Sequence, residues 1–465
     1  MLKYSRQAKT TTATHIFAVE ALSHEGRGIS HYHESLDHPT DKQGKKVFIQ
    51  FALPDERVSA KIIRQSKRFE EAETIELLSA PSIYRTAPIC EHFTVCGGCS
   101  LQHMQADEQI RVKQNTLASH LQHFSGLAPD IWLPAIRSTR QDYRRRARIG
   151  VRYVESSKKL VMGFRARQTN RLVPIQHCPV LDVELDQALP EVYQLLNRLI
   201  ARKDIGHIEL SMGRHEIALL IRHTAPLSPS DLNKLQQFAQ QKRWQLYLQP
   251  KDAGSVHRID TDAPMRLSYQ LADFGLQLGF APTDFTQVND GVNQQMINLA
   301  CKLLDLRAGE RVLDLFCGLG NFSLPIAQCV GEQGHVVAVE GSEAMVERGR
   351  ENATRNRLKN IEFYAQDLTQ DFSKQPWAKQ GFDALLIDPP RSGAEQVMQY
   401  IANFDAKRIV YVSCDPATLA RDAGILVQKG YRLKQAGVMD MFTHTSHVES
   451  ITLFEKIQQC NNESE

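Results

Sequence analysis

From about residue 285 onward, apolar runs of strand character alternate with helix-like stretches: RVLDLFC, HVVAVEG, IEFYAQD, FDALLIDPP and RIVYVSC. This alternation constrains the chain more than any other feature. Continuous apolar strands are the mark of strands buried on both faces, and parallel neighbours need crossover helices. The segment therefore predicts an α/β fold with a doubly wound sheet, whose ligand sites lie at strand C-termini. A final pair, YRLKQAGVMDMF and HVESITLFEK, suits an antiparallel edge.

The preceding chain has a different texture. Residues from about 14 to 79 form short β-type runs, HIFAVEAL, EGRGIS, KKVFIQFALPDERVSAKII and EAETIELLS, with Gly26, Gly28 and Pro54-Asp55 supplying turns. Five or so short strands predict a small OB-like barrel, an architecture that often binds nucleic acid. A helical segment is expected from about Gln102 to His123. Residues from about 135 to 280 mix strands (RARIGVRYV, KLVMGFRA, HIELSMG, EIALLIRH) with a helix near DLNKLQQFAQQ, an α+β pattern. The predicted division is 1–80 barrel, 81–284 central α+β domain and 285–465 doubly wound domain. The tail QQCNNESE reads as frayed. With 42% hydrophobic and 23% charged residues, the balance is that of a globular chain. No run approaches the ~20 apolar residues of a membrane span. The N-terminus lacks the apolar core of a signal peptide, so a cytoplasmic location is expected.

Net charge is only +3, but it is unevenly spread. Residues 136–175 carry 12 Lys or Arg against 2 acids, whereas the chain from 285 onward carries 18 against 23. A basic segment in front of a mildly acidic domain suggests a polyanion clamp beside a catalytic body. YRRRARIGVRY places five arginines among apolar strand residues, which favours nucleic acid over a merely solvated face.

VLDLFCGLGNFSLP is a strand, a Gly-x-Gly turn and a helix start, in which Gly318 and Gly320 allow close approach to a ligand. Glu340 ends the next strand, 26 residues after Asp314, where it can accept from both ribose hydroxyls of an adenosine. The third glycine of a dinucleotide fingerprint is missing, since Asn321, Phe322 and Ser323 follow Gly320. Asp314 suits a sulfonium cofactor better than a pyrophosphate, and Asp367 offers an acceptor for an adenine amino group. S-adenosylmethionine is therefore favoured over NAD.

LLIDPPRSG ends a buried strand at Asp388, and two prolines make a stiff support that can present this acid to the edge of a planar base. RIVYVSCDPATLARD places Cys414 at the end of the next strand, on the same rim. A free thiol leaves a few per cent as thiolate at neutral pH. That fraction can add to C6 of a uracil and make C5 nucleophilic toward a methyl sulfonium. A base must then remove the C5 proton, and Glu449 in HVES is the candidate. Cys301, Cys317 and Cys329 read as inert core thiols.

With SCDPATLARD, IDPPRSG, DLFCGLGNFSLP, FTQVN and HVES in hand, the chain resembles the S-adenosylmethionine-dependent RNA uracil-C5 methyltransferases over essentially its whole length. The N-terminal barrel is similar to the TRAM domain of the bacterial 23S ribosomal RNA branch. The resemblance implies Cys414 as nucleophile, Glu449 as base and Asp388 against a flipped uracil. It implies Gln287, Phe316, Asn321, Glu340 and Asp367 lining the cofactor site. The implied partner is 23S ribosomal RNA, with no membrane and no protein partner, and a monomeric enzyme.

Nine cysteines in a long chain argue for metal or catalytic use rather than a disulfide framework. CEHFTVCGGC sets Cys90, Cys96 and Cys99 in a C-x5-C-x2-C run, with Cys178 in QHCPV as a distant fourth thiol. Zinc and an iron–sulfur cluster both accept four thiolates. The resemblance implies a [4Fe–4S] cluster with a structural or RNA-contacting role. Two rivals stay open: a transfer-RNA uridine methyltransferase, and a non-catalytic RNA-binding iron–sulfur protein. The intact trio of Cys414, Asp388 and Glu449 speaks against the latter.

Overall fold

The computed structural model describes residues 13–36, 38–261 and 265–457; the tail expected to fray lies outside them. Two compact units divide the chain, residues 1–116 with 444–447, and residues 117–443 with 448–465. No helix among the described residues is long and apolar enough to cross a membrane.

The first unit is built on a six-stranded sheet. Along it lie Thr14–Ala18, Arg57–Gln65, Phe69–Leu77, Lys46–Gln50, Gly28–His31 and Ala21–Leu22. Alternation places Val47, Ile49, Val58, Ala60 and Ile62 on one buried face with Phe17 and Tyr32. Buried Glu56 closes the end of this unit: it accepts from Arg85 Nε at 2.6 Å and Nη2 at 2.7 Å, and from the Leu53 and Ser82 amides. The segment His444–His447, late in the chain, belongs here as well. The amides of Ser100 and Leu101 donate to the His444 carbonyl at 2.8 and 2.9 Å, and Ser446 N donates to Ser100 Oγ at 2.9 Å. The helix Ala106–Ser125 carries the chain into the second unit, shifted a few residues from the expected span.

The second unit holds two large sheets. The first has seven strands, among them Arg146–Val154, Lys159–Arg165, Ile205–Met212 and Ile217–His223, close to the strands expected. Helices Val183–Asn197 and Pro229–Lys242 pack on it, the latter capped by Ser228. The second is the predicted doubly wound sheet. Numbered in chain order, Arg311–Leu315, His335–Glu340, Ile361–Ala365, Ala384–Ile387, Arg408–Ser413, Tyr431–Met439 and Glu449–Lys456 lie in the order 3-2-1-4-5-7-6. The first five are parallel, and the last strand runs antiparallel to both its neighbours. The final pair is antiparallel as expected, but the last strand sits inside it. The two-residue strand Ile131–Trp132 forms the edge instead.

Chain order reverses between strands 1 and 4. Leu315 is paired with Ile387, so the glycine loop and Asp388 leave the sheet side by side at this switch point.

Candidate active site

Strand 1 delivers the loop through a strained step. Phe316 has φ +62°, a left-handed conformation that is uncommon for a bulky residue and tends to mark functional sites. Gly320 follows at φ +96°, where an added Cβ would lie 2.3 Å from Leu324 Cδ1. Glu340, at the end of strand 2, accepts from Gly318 N at 3.2 Å and from Ser342 N at 3.0 Å. It thus fixes the loop while leaving lone pairs for a ligand. Asp367 is exposed, two residues past strand 3, and accepts from Thr369 N at 2.9 Å and Thr369 Oγ1 at 2.7 Å. The Thr369 hydroxyl bond, then its amide bond, holds this carboxyl below its usual range.

Beneath the loop, Asp314 is fully buried and accepts from Ser323 Oγ, while its Oδ1 has no hydrogen-bond partner among the described residues. Burial, then the charges of Asp388 and Glu340, push it up to about 8, against the opposing Ser323 bond. Burial likewise lifts Asp388 to about 7. A pocket walled by carboxylates that resist ionising together favours a cationic ligand and disfavours a pyrophosphate. The donor set suits a sulfonium with an amino group and a ribose diol.

The segment FTQVN enters from the other side. Gln287 lines a cleft with Arg145, Tyr269, Thr286, Asp290 and Asn293. Asn289 caps the helix Asp290–Leu304 through Val292 N at 3.2 Å. Asn321 turns its amide away from the loop's mouth: Nδ2 donates to Asn293 Oδ1 at 2.9 Å, and Oδ1 accepts from Asn293 Nδ2 at 3.1 Å and Tyr269 OH at 2.9 Å. Asn293 and Tyr269, not foreseen from the sequence, thereby tie the glycine loop to FTQVN.

Cys414 follows strand 5 directly. Asp415 caps the next helix, Pro416–Gln428, accepting from Ala417 N at 2.9 Å and Thr418 N at 3.2 Å, with Pro416 at the first turn. Ser413 pairs with Ser450 at the end of the antiparallel ladder, so Cys414 directly follows one member of that last pair and Glu449 directly precedes the other. The thiol is half-buried. Burial pushes it up to about 11, Glu449 and Asp388 add to the rise, and Arg391 offsets part of it. The few per cent of thiolate expected of a free cysteine is therefore corrected to about one part in 10^4 at pH 7. Cys414, Glu449 and Asp388 are thus brought within electrostatic reach of one another.

A second missed residue organises this rim. Fully buried Asp422 accepts from Ala394 N and Tyr411 OH, both at 2.7 Å, and from Arg421 Nε at 2.8 Å. Arg421 Nη2 donates to Ser392 O at 2.9 Å. The end of the SCDPATLARD run therefore clamps the loop that carries Asp388. A buried acid six residues beyond the proline of such a turn was the available signal.

The arginine-rich stretch divides in two. Arg145 pairs with Asp290 at 3.6 Å, and Arg146 binds Glu209 at 3.2 Å and Pro282 O at 2.6 Å, so both hold the framework of the cleft. Arg148, Arg152, Arg165 and Arg171 are exposed.

Cys90, Cys96 and Cys99 lie half-buried in one loop of the first unit, where Gly98 N donates to Cys96 Sγ at 3.4 Å. Cys178 lies in the second unit, its amide donating to the Asp186 carboxylate. Among the described residues, no three His, Cys, Asp or Glu side chains stand together as a metal-binding group. Of the three thiols expected to be inert, only Cys317 is buried; Cys301 is half-buried and Cys329 exposed.

Fold and rim define a doubly wound α/β domain with a half-buried thiol and two carboxylates close to a glycine loop at the switch point. The family model described as tRNA (Uracil-5-)-methyltransferase matches residues 105–457. This chain belongs to that family. It is 61% identical over 463 residues to the 23S rRNA (uracil(1939)-C(5))-methyltransferase RlmD of Acinetobacter baylyi, covering 99% of this chain and 100% of that protein. With the Alcanivorax borkumensis protein of the same description it shares 47% over 443 residues, 95% of this chain and 96% of the other. Among solved structures, the Pyrococcus abyssi tRNA (uracil-54, C5)-methyltransferase in complex with S-adenosyl-L-homocysteine matches with a TM-score of 0.70 at 20% identity. That match covers 94% of this chain and 100% of the other, and shows a shared fold.

Proposed function

We propose that this chain transfers the methyl group of S-adenosylmethionine to C5 of uridine 1939 in 23S ribosomal RNA. One observation carries the chemistry: Cys414 and Glu449 flank the last paired residues, Ser413 and Ser450, of two adjacent strands, and the charges of Glu449 and Asp388 both act on the thiol. Near-full-length identity to the RlmD proteins supports the substrate. Gln287, Phe316, Asn321, Glu340 and Asp367 would hold the cofactor, which supplies a methyl group made electrophilic by its sulfonium.

A uracil flipped from the RNA meets Cys414 on its C6 side. The thiol gives up its proton to water and sulfur bonds to C6, which leaves an enolate on the ring. Asp388, its carboxyl pushed up to about 7 by burial, donates a hydrogen bond in its protonated form to the carbonyl oxygen where that charge collects. C5 then takes the methyl carbon as that carbon's bond to the sulfonium sulfur breaks, the electron pair staying on sulfur, which leaves as the neutral thioether. Glu449 removes the C5 proton as the C6–S bond breaks, restoring the ring and the thiolate.

The N-terminal sheet serves as a TRAM-like RNA-binding module, and the exposed arginines grip flanking backbone. Cys90, Cys96, Cys99 and Cys178 would supply the four thiolates of a [4Fe–4S] cluster; the C-x5-C-x2-C run and the amide donated to Cys96 Sγ support this, since such bonds accompany cluster thiolates. The enzyme acts as a cytoplasmic monomer.

The test is to map C5-methyluridine in ribosomal and transfer RNA from cells lacking the gene, then complemented. The methyl group at 1939 should vanish, return with the intact gene and stay absent with Cys414→Ala. Loss from a transfer RNA or another 23S position, with 1939 unchanged, overturns the substrate. Rescue by Cys414→Ala overturns the covalent route.

A further inference from the structure

We propose that Arg348 and Asn352 are positioning residues for the cofactor: from one face of a single helix they hold the glycine loop and FTQVN, the two walls of its cleft, in register with each other. The helix Glu343–Arg355 starts three residues after Glu340, so the ribose-binding acid and both walls are referred to one rigid element. Positions 348 and 352 are about one helical turn apart and project to the same side.

Asn352 is fully buried. Its Oδ1 accepts from Gly279 N at 2.7 Å, and its Nδ2 donates to Gly279 O and to Leu319 O, both at 3.1 Å. Leu319 stands between the two glycines of the cofactor loop, and Gly279 lies on the strand Leu276–Phe280 that leads toward FTQVN. A reversed amide would set oxygen against two carbonyls, so one orientation alone satisfies all three bonds. Next along the helix, Asn356 repeats the grip on Gln277, accepting from its N at 2.9 Å and donating to its O at 2.8 Å. The two asparagines thus stand in for a neighbouring strand, each closing a two-point pair with one backbone residue. Glycine at 279 permits the close approach, since an added Cβ would lie 3.0 Å from Arg355 Nη1.

Arg348 fixes the turn that follows this strand. Its Nε donates to Asp284 Oδ2 at 2.9 Å, with only 11% of the arginine and 10% of the aspartate side chain exposed. The same oxygen accepts from Ala281 N at 2.7 Å, closing the turn immediately before Phe285. A charge-assisted bond shielded to this degree holds a turn far better than an exposed ion pair would. Breaking either grip lets one wall drift from the other. A ligand that touches both walls is then held less tightly, while Cys414, on strand 5, keeps its place. The effect therefore falls on cofactor binding rather than on turnover at saturation.

This rests on the cleft being the S-adenosylmethionine site. The test compares Asn352→Leu and Arg348→Met with the full-length unaltered protein, measuring Kd for S-adenosylhomocysteine by calorimetry, KM for S-adenosylmethionine, and kcat. Val346→Ala, which removes buried packing from the same helix and no hydrogen bond, shows what lowered stability does by itself. Each of the first two variants should raise Kd and KM about tenfold, as expected for a lost buried hydrogen bond, with kcat within about twofold. Val346→Ala should lower the thermal midpoint and leave Kd unchanged. If Asn352→Leu does not fold, Arg348→Met decides. Unchanged Kd in the folded variants, or an equal rise in Val346→Ala, overturns the proposal. Failure of the unaltered protein to bind S-adenosylhomocysteine overturns the cofactor reading itself, and this inference with it.

Discussion

Cys414 and Cys329 belong to one unit, and their surroundings move the same group in opposite directions. At the switch-point rim, burial and two carboxylates drive the Cys414 thiol up to about 11. On the helix Ser323–Val330, the neighbouring Cys301 thiol draws Cys329 below its ordinary value. The sulfur best placed for catalysis is thus the less reactive one at rest. A protonated thiol resists peroxide and stray electrophiles. Nucleophilicity is withheld until a ring displaces water and gives the developing charge somewhere to go. At Cys329 no such restraint operates.

The largest effect should come from neutralising Glu449, whose charge acts on the Cys414 thiol. Glu449→Gln is expected to slow turnover by roughly 10^2 to 10^4-fold, the usual contribution of a positioned base. A covalent RNA–protein adduct should build up on denaturing gels, because the methylated intermediate keeps its C5 proton. The same change removes a charge that opposes thiolate formation, so Cys414 should alkylate faster in the RNA-free variant. Slower alkylation would break the contrast drawn between the two thiols.

Next in size is the pH dependence of alkylation. Below a thiol's pKa the reactive fraction rises about tenfold per pH unit, and above it the rate levels off. Cys414 should therefore climb about 10^3-fold between pH 7 and pH 10 without levelling, while Cys329, drawn down by its neighbour, should level at a lower pH. Mass-spectrometric peptide rates measure both in one sample.

The smallest effect tests the clamp behind the rim. Asp422→Ala leaves the Ala394 amide and the Tyr411 hydroxyl without their buried acceptor, so a loss of about 1–3 kcal/mol is expected in denaturant unfolding. If the clamp positions Asp388, kcat should fall more than the KM for cofactor changes. Equal stability with unchanged kcat would remove Asp422 from the account.

Much of this was legible in the sequence. Buried parallel strands announce themselves as unbroken apolar runs, and chemistry collects where those runs end, so Asp388, Cys414 and Glu449 stood out. Other features were not legible, for physical reasons. The helix Val183–Asn197 contains Pro190, which argues locally against a helix. Burial of Leu185, Leu189, Val192 and Leu196 outweighs it. Phe316 gives no sign of its positive φ, because nothing in a phenylalanine favours that conformation and only its neighbours impose it. The upward shift of Cys414 and the downward shift of Cys329 arise from residues distant in sequence. Pattern reading placed all three secondary thiols in the core because residue type and strand or helix context do not report which side of a helix meets solvent.

The rung joining Ser413 to Ser450 has one more consequence. Cys414 and Glu449 flank that pair, so their separation follows from the spacing of two adjacent strands, although more than thirty residues of helix and strand lie between them in the chain. Lengthening the turns of that excursion leaves the two residues where they are, so long as neither strand slips. A lineage can thus remodel how it greets its RNA without retuning its chemistry.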